Sequence, residues 1–289
     1  MLMDHIGEFF PDSPIWFQWL GRLAAPLFFY ALAVGFQHTR NRKKYLLRLY
    51  LANVGMVFFN QIMCMLQRKL DYVAYQPKNH NIFTTLFCAG VLICIWESRK
   101  EKKKFFTYIG IYIFWQAMVM GLAILAEAFD YVWRGNALLQ TVLRTNYIFP
   151  LLGGIWDAEG GVFFIVLGIW LYCAVEKKGK LALHYILFCG AYMFMCQGDI
   201  LYRIMSRFSF WGYHKLADVI YFGSSFVGIP LGTSDLSLLT EFYQWMMIGA
   251  LPIMLACNGK RGKSLKWLFY AAYPLQFLVL YGISYYKIL

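Results

Sequence analysis

Apolar residues run along this chain in stretches of 17 to 24, each closed by a short polar or basic segment. A helix of about 20 apolar residues matches the hydrocarbon core of a bilayer, so the pattern predicts membrane-crossing helices. It does not offer the ten-residue alternating strands of a membrane barrel. The predicted crossings are 15–38, 44–66, 81–97, 105–127, 159–176, 181–199, 237–257 and 266–286. Residues 1–10 are too short to cross and predict a helical stub, closed by the breaker-rich turn Pro11–Asp12–Ser13–Pro14. Two further stretches, 137–152 and 216–231, are apolar but broken.

The basic residues decide how those two are read. They cluster at 40–48, 99–104, 177–180 and 260–266. Short loops rich in Lys and Arg stay cytoplasmic. All four clusters share one side only if 137–152 and 216–231 do not cross, so both are assigned to the outer side as surface or re-entrant segments. The expected fold is an all-α integral membrane protein. It is a polytopic helical bundle of about eight full transmembrane helices plus the N-terminal stub, forming one domain over 1–289. No fixed repeat of 20–50 residues is visible.

Composition agrees with this pattern. The chain is 60% hydrophobic and only 15% charged, with mean hydropathy +0.51, which excludes an ordinary soluble domain. The net charge of +12 would suggest nucleic acid in a soluble protein. Here it sits in the loops, where topology accounts for it, and the expected partner is the lipid bilayer. The seven Cys form no CxxC pair and lie mostly within apolar runs, so neither a disulfide frame nor a metal site is expected. The start MLMDHIG has no basic region, so no cleavable signal peptide is expected. Soluble-enzyme motifs such as GxGxxG, the P-loop, HExxH and GxSxG are absent.

Ionisable residues inside apolar runs carry the candidate chemistry, because a membrane makes them costly. Asp4 and His5 lie in the stub, and Arg22 lies in the first crossing. A hairpin turning near residue 13 brings residue 5 level with residue 22, so His5 and Arg22 are candidates for one polar pocket. Asp4 would orient the imidazole, and Arg22 would stabilise an oxyanion. The plainer readings are an exposed terminus for Asp4–His5 and snorkelling for Arg22. His38 lies ~24 Å along the helix from Arg22, at the cytoplasmic end. With Thr39, Arg40, Arg42, Lys43, Lys44 and Arg48 it forms a basic cluster able to cradle a diphosphate, although topology alone also accounts for it. Further polar candidates are Asn81 and Thr84, Asp157 beside Gly160–Gly161, and Tyr273 before Pro274. Helix capping is the plainer role for Asn81 and Asp157. Pro274 kinks its helix and frees a carbonyl.

In their order along the chain these blocks resemble the TraX family of membrane proteins. The resemblance rests on Asp4–His5–Ile6–Gly7, Gly21–Arg22–Leu23–Ala24 with Pro26, and Gly35 with His38–Thr39–Arg40–Asn41. It continues through Tyr45–Leu46–Leu47–Arg48–Leu49, Asn81 to Leu86, Asp157 to Gly161, Asn258 to Gly262 and Leu268 to Leu275. It implies a pilin N-acetylase-like protein of the bacterial cytoplasmic membrane, related to the integral-membrane acyltransferases that modify envelope sugars. The implied cosubstrate is cytoplasmic acetyl-CoA, with no metal, and the implied acceptor is a pilin-like protein amine or an envelope glycan. His5, Arg22 and His38 are the residues it singles out. The chain departs from the family pattern at Gln276, where a His is common, and in a longer 200–236 segment. Two other functions fit the same residues. A proton-coupled transporter or flippase would use the buried His and Arg as a relay, and a non-catalytic pilus or envelope assembly subunit would need neither.

Overall fold

The computed structural model describes residues 1–289 except 11, 70–80, 133–144, 157, 198–202, 204–206, 208–212, 230–235, 259–265 and 289. Its α-helices are α1 (Leu2–Phe9), α2 (Trp16–Gly21), α3 (Ala24–His38), α4 (Arg42–Lys69), α5 (Ile82–Glu97) and α6 (Lys102–Val132). They continue as α7 (Thr145–Leu151), α8 (Gly161–Ala174), α9 (Lys178–Gln197), α10 (Tyr213–Val227), α11 (Ala250–Ala256) and α12 (Lys266–Ile288). No strand occurs among the described residues. Among the described residues six stretches are long and apolar enough to cross a bilayer: Trp16–His38, Arg42–Leu66, Ile82–Lys100, Lys102–Ala126, Lys178–Gln197 and Leu268–Tyr286. The chain is an all-α polytopic membrane protein. Phe106, Ile111, Ile113 and Phe114 on α6 are each more than 60% exposed, the surface that a helix offers to lipid.

Two of the eight expected crossings are shorter. The stretch 237–257 contains a 3₁₀ turn over Tyr243–Gly249 followed by the seven-residue α11. The stretch 159–176 is the 14-residue α8, ~21 Å long against a core of ~30 Å. Despite its length α8 is the centre of the bundle. Ile165, Leu167, Leu171 and Ala174 are fully buried against α3 and α5, whose Phe29, Phe36, Ala89 and Ile93 are buried too. The close approach needs Gly168, where a Cβ would lie 2.8 Å from that of Ala89. Small residues at a helix crossing are how membrane helices pack closely.

The segment before α8 explains its length. Residues 137–144 of the first broken stretch, and Asp157 with them, lie outside the described residues. The rest, α7 and the turns after it, is held by side chains from the middle of two crossings. Asn53 Nδ2 donates to the Pro150 carbonyl (2.6 Å), and the Tyr50 hydroxyl donates to that of Leu151 (2.8 Å). Trp115 Nε1 donates to Leu152 O (2.9 Å) and Gln116 Nε2 to Gly153 O (3.2 Å), while Gln116 Oε1 accepts from Ile155 N (2.9 Å). Asn53 lies ~17 Å along α4 from Arg42, and Gln116 ~21 Å along α6 from Lys102. A non-helical backbone at that depth must find its hydrogen bonds in protein, and this one does. The described part of the segment has the internal hydrogen bonding that the expected re-entrant piece needs, and α8 starts where it ends. The second broken stretch, α10, ends at Gly228 with φ +85° and an Ile229 N–H to Ser224 O bond, a Schellman cap. Its end presses backbone to backbone on the same turn. A Cβ on Gly161 would lie 2.6 Å from Gly228 N.

Contacts at or beside the clusters 40–48, 99–104 and 177–180 tie one end of the bundle, while 260–265 of the fourth cluster lie outside the described residues. Arg42 Nη2 pairs with Glu97 Oε1 at 3.0 Å, and the Tyr172 hydroxyl donates to the same oxygen. This joins the start of α4 to the ends of α5 and α8. Lys178 Nζ donates to Leu255 O (2.7 Å), which joins the start of α9 to the end of α11. The opposite end is closed by Trp19 Nε1 donating to Leu239 O (2.8 Å).

Candidate functional site

The site is built on the hairpin of α1 and α2, and glycines set its spacing. A Cβ on Gly7 would lie 2.6 Å from Gln18 Cγ, and one on Gly21 would lie 2.3 Å from Asp4 Cβ. The two helices touch through these bare positions, so Asp4 reaches the next residue, Arg22. The ion pair between Asp4 Oδ1 and Arg22 Nη2 results. Arg22 Nη1 donates to Gln244 Oε1 (3.0 Å), and the guanidinium lies 5.5 Å from the Tyr243 ring centroid. Its Nε is buried and makes no hydrogen bond, leaving one donor of the fork for an acceptor. Arg22 also stands at a break between α2 and α3, because Pro26 has no N–H for the Arg22 carbonyl four residues back.

His5 points into the bundle from the same helix as Asp4. It is 3% exposed, with its ring centroid 4.3 Å from Phe277 and 6.2 Å, edge-on, from Tyr273. Asp4, His5, Arg22, Glu159, Gln244 and Tyr273 all line one pocket of about 120 Å³. The sequence places His5 and Arg22 in one pocket, and the structure does the same. It differs over Asp4, whose carboxylate is engaged by Arg22.

Tyr273 is 2% exposed and links three elements. Its hydroxyl accepts from Ile82 N, the first amide of α5 (3.4 Å), and donates to Glu159 Oε2 (3.3 Å). Thr85 donates to the Glu159 carbonyl (3.0 Å). Glu159 precedes Gly160 and Gly161, whose φ of +80° and +69° no residue with a Cβ adopts readily. The turn delivers Glu159 to the pocket and starts α8 there. Helices α5 and α8 thus both begin at the pocket and run away from it, so their positive dipole ends converge on it.

Asn81 and Thr84 serve a neighbouring network. Asn81 occupies the N-cap position of α5, yet its side chain makes no capping bond. It donates instead to Asn53 Oδ1 (2.7 Å), as does Thr84 Oγ1 (2.7 Å). Since Asn53 holds Pro150, these residues fix the re-entrant segment beneath the pocket.

The basic cluster is remote from the pocket. His38 is exposed, and its Nδ1 lies 2.9 Å from the Val34 carbonyl at the end of its own helix. Arg42 is committed to Glu97 and to the Thr39 carbonyl (3.0 Å). Arg40, Lys43, Lys44 and Arg48 are exposed. Arg48 stacks at 5.8 Å on the Tyr45 ring and lines a second pocket.

Four polar residues of these networks escape the sequence reading: Asn53, Gln116, Glu159 and Gln244. Asn53 and Gln116 carry a usable signal, a lone polar side chain deep in an apolar run. Gln244 carries none, since it lies in the polar-edged stretch EFYQW.

A family model described as TraX protein matches residues 1–192. That range contains Asp4, His5, Arg22 and Glu159, and ends before Gln244 and Tyr273. No curated protein matches the chain, and no solved structure matches it.

Proposed function

The chain belongs to the TraX family, and from that premise we propose that it is a transmembrane acyltransferase. Membership suggests a conjugation- or pilus-related membrane protein. The finer reading is transfer of an acetyl group from cytoplasmic acetyl-CoA to a pilin-like amine or an envelope glycan in the bacterial cytoplasmic membrane. One observation carries it. A buried histidine, an arginine with a spare buried donor and two helix N-termini face one pocket. That set suits acyl transfer, which needs a proton acceptor and fixed positive charge for an oxyanion.

In this reading His5 takes the proton of the acceptor amine or hydroxyl as it attacks the thioester carbonyl. Arg22 Nε and the helix N-termini stabilise the tetrahedral oxyanion. Asp4 holds Arg22 charged and oriented. Collapse breaks the C–S bond, and His5 returns its proton to the departing thiolate. The products are acetylated acceptor and free coenzyme A. Lys43, Lys44 and Arg48 would meet the donor's phosphates at the basic end.

Incubating purified protein with labelled acetyl-CoA and an envelope fraction tests this. Label should enter the envelope with wild-type protein and fail to do so with His5→Ala. No incorporation by wild-type protein, or equal incorporation by His5→Ala, ends the proposal. Substrate uptake into proteoliposomes without any acyl-CoA would favour a transporter instead.

A further inference from the structure

The second pocket shares a wall with the first. It lies between α3, α4, α5 and α12, holds about 220 Å³, and is lined by Phe28, Leu49, Leu86, Phe269 and Tyr270 with Arg48. Phe28 lines both pockets. Its ring meets Phe269 edge-on at 5.0 Å, and Phe83 lies behind, 6.4 Å from Phe269 and 5.3 Å from Tyr273. Phe28 is thus the side chain that the Arg48 pocket and the His5–Arg22 pocket have in common. The two pockets lie in sequence along α3. Ala24 and Ala25 line the first and Ala31 and Leu32 the second, ~12 Å from end to end.

The contrast with the rest of the basic cluster selects one cation. Arg42 is consumed by Glu97 and His38 by its own helix, and neither lines either of these two pockets. Arg48 lines the second, with Lys44 one turn before it supplying a carbonyl to its Nε (3.2 Å). An anionic group bound by Arg48 would have an apolar channel on one side and water on the other.

We propose that the Arg48 pocket is the donor channel: it takes an acyl thioester on a flexible arm, with the phosphorylated head on Arg48 and the thioester at Phe28. The occupant follows from the lining, which sets one exposed cation, Arg48, among apolar and aromatic side chains and shares Phe28 with the His5–Arg22 pocket. The aromatic pair Phe28–Phe269 is the gate that the acyl group passes. The main chain of α12 is free to yield there, because Pro274 leaves the Tyr270 carbonyl without its helical partner. This rests on the acyltransferase reading and adds to it the route of the donor.

The test separates binding from transfer. Coenzyme A itself is the probe, titrated into purified protein in nanodiscs, with acetyl transfer measured in parallel. Arg48→Gln and Ala31→Trp are each expected to weaken coenzyme A binding at least tenfold. Phe28→Trp is expected to lower transfer by a much larger factor than it lowers coenzyme A binding. Phe28→Ala is expected to raise the use of butyryl-CoA relative to acetyl-CoA. Wild-type coenzyme A affinity in both Arg48→Gln and Ala31→Trp overturns the channel while leaving the acyltransferase reading intact. Absence of coenzyme A binding and of transfer in the wild-type protein overturns both. A phospholipid that occupies the pocket and is not displaced by coenzyme A overturns the channel alone.

Discussion

At the residue scale the decisive contact is between a missing side chain and a charged one. Gly21 leaves room for Asp4, and Asp4 fixes Arg22. Gly21→Ala forces a Cβ to 2.3 Å from another, so either helix α1 shifts or the ion pair parts. Such overpacking costs about 1–3 kcal/mol. A lowered melting temperature in detergent is expected, whereas Gly110→Ala, with nothing within 4 Å, should melt as the wild type does. The ion pair makes a second prediction. Removing one partner leaves an uncompensated charge in a low-dielectric site, which is worse than removing both. Asp4→Asn and Arg22→Gln should each destabilise more than the double variant, and a thermal double-mutant cycle measures this. Arg22→Lys keeps the charge but loses the fork, and transfer should fall about 100-fold, the scale of a lost oxyanion donor. The sequence makes this site partly legible. A turn centred near residue 13 is enough to bring residues 5 and 22 to one depth. It does not say that Asp4 pairs with Arg22, because that depends on which faces of α1 and α2 meet, and two glycines decide it.

At the scale of elements the re-entrant segment is the part hardest to read in advance. Its apolar content is modest, and its anchors lie far away in sequence: Asn53 is 97 residues from Pro150, and Gln116 is 37 from Gly153. Periodicity sees only neighbours, so it detects that the stretch is broken and not how deep it reaches. The same ignorance lengthens α8 on paper, because the start of a helix inside a bilayer has no polar boundary to mark it. Gln116→Leu removes the bonds to Gly153 and Ile155 together and should cost about 1–3 kcal/mol. Cys88 reports on it directly. It is 1% exposed, with its thiol 3.6 Å from the Gly153 carbonyl. In the wild type a membrane-permeant maleimide should leave Cys88 unmodified. In Gln116→Leu, mass spectrometry of the Cys88 peptide should find it labelled. Equal protection in both would mean that the segment is held by other contacts.

At the scale of the whole molecule, hydropathy and the basic loops suffice for an all-α polytopic bundle, because a bilayer leaves backbone few other choices. The contacts Arg42 with Glu97 and Lys178 with Leu255 tie elements beside three of the four clusters at one end of the bundle. Single-cysteine variants at Lys43, Lys103 and Lys180, in a background without the native cysteines, should react with an impermeant reagent from one side of the membrane. A cysteine at Ser237 should react only from the other. Labelling of Lys43→Cys and Lys180→Cys from opposite sides would overturn the arrangement. The shortness of α8 then has a consequence for what can be modified. On the acyltransferase reading, ~21 Å of helix in a ~30 Å barrier would leave only ~9 Å between the pocket and the acceptor's side. A polar chain end would then have less hydrocarbon to cross on its way to His5 than the donor has from the basic end. The protein would present a membrane that is thin to acceptors and full-width to acyl groups, which favours polar, tethered acceptors over those dissolved in lipid.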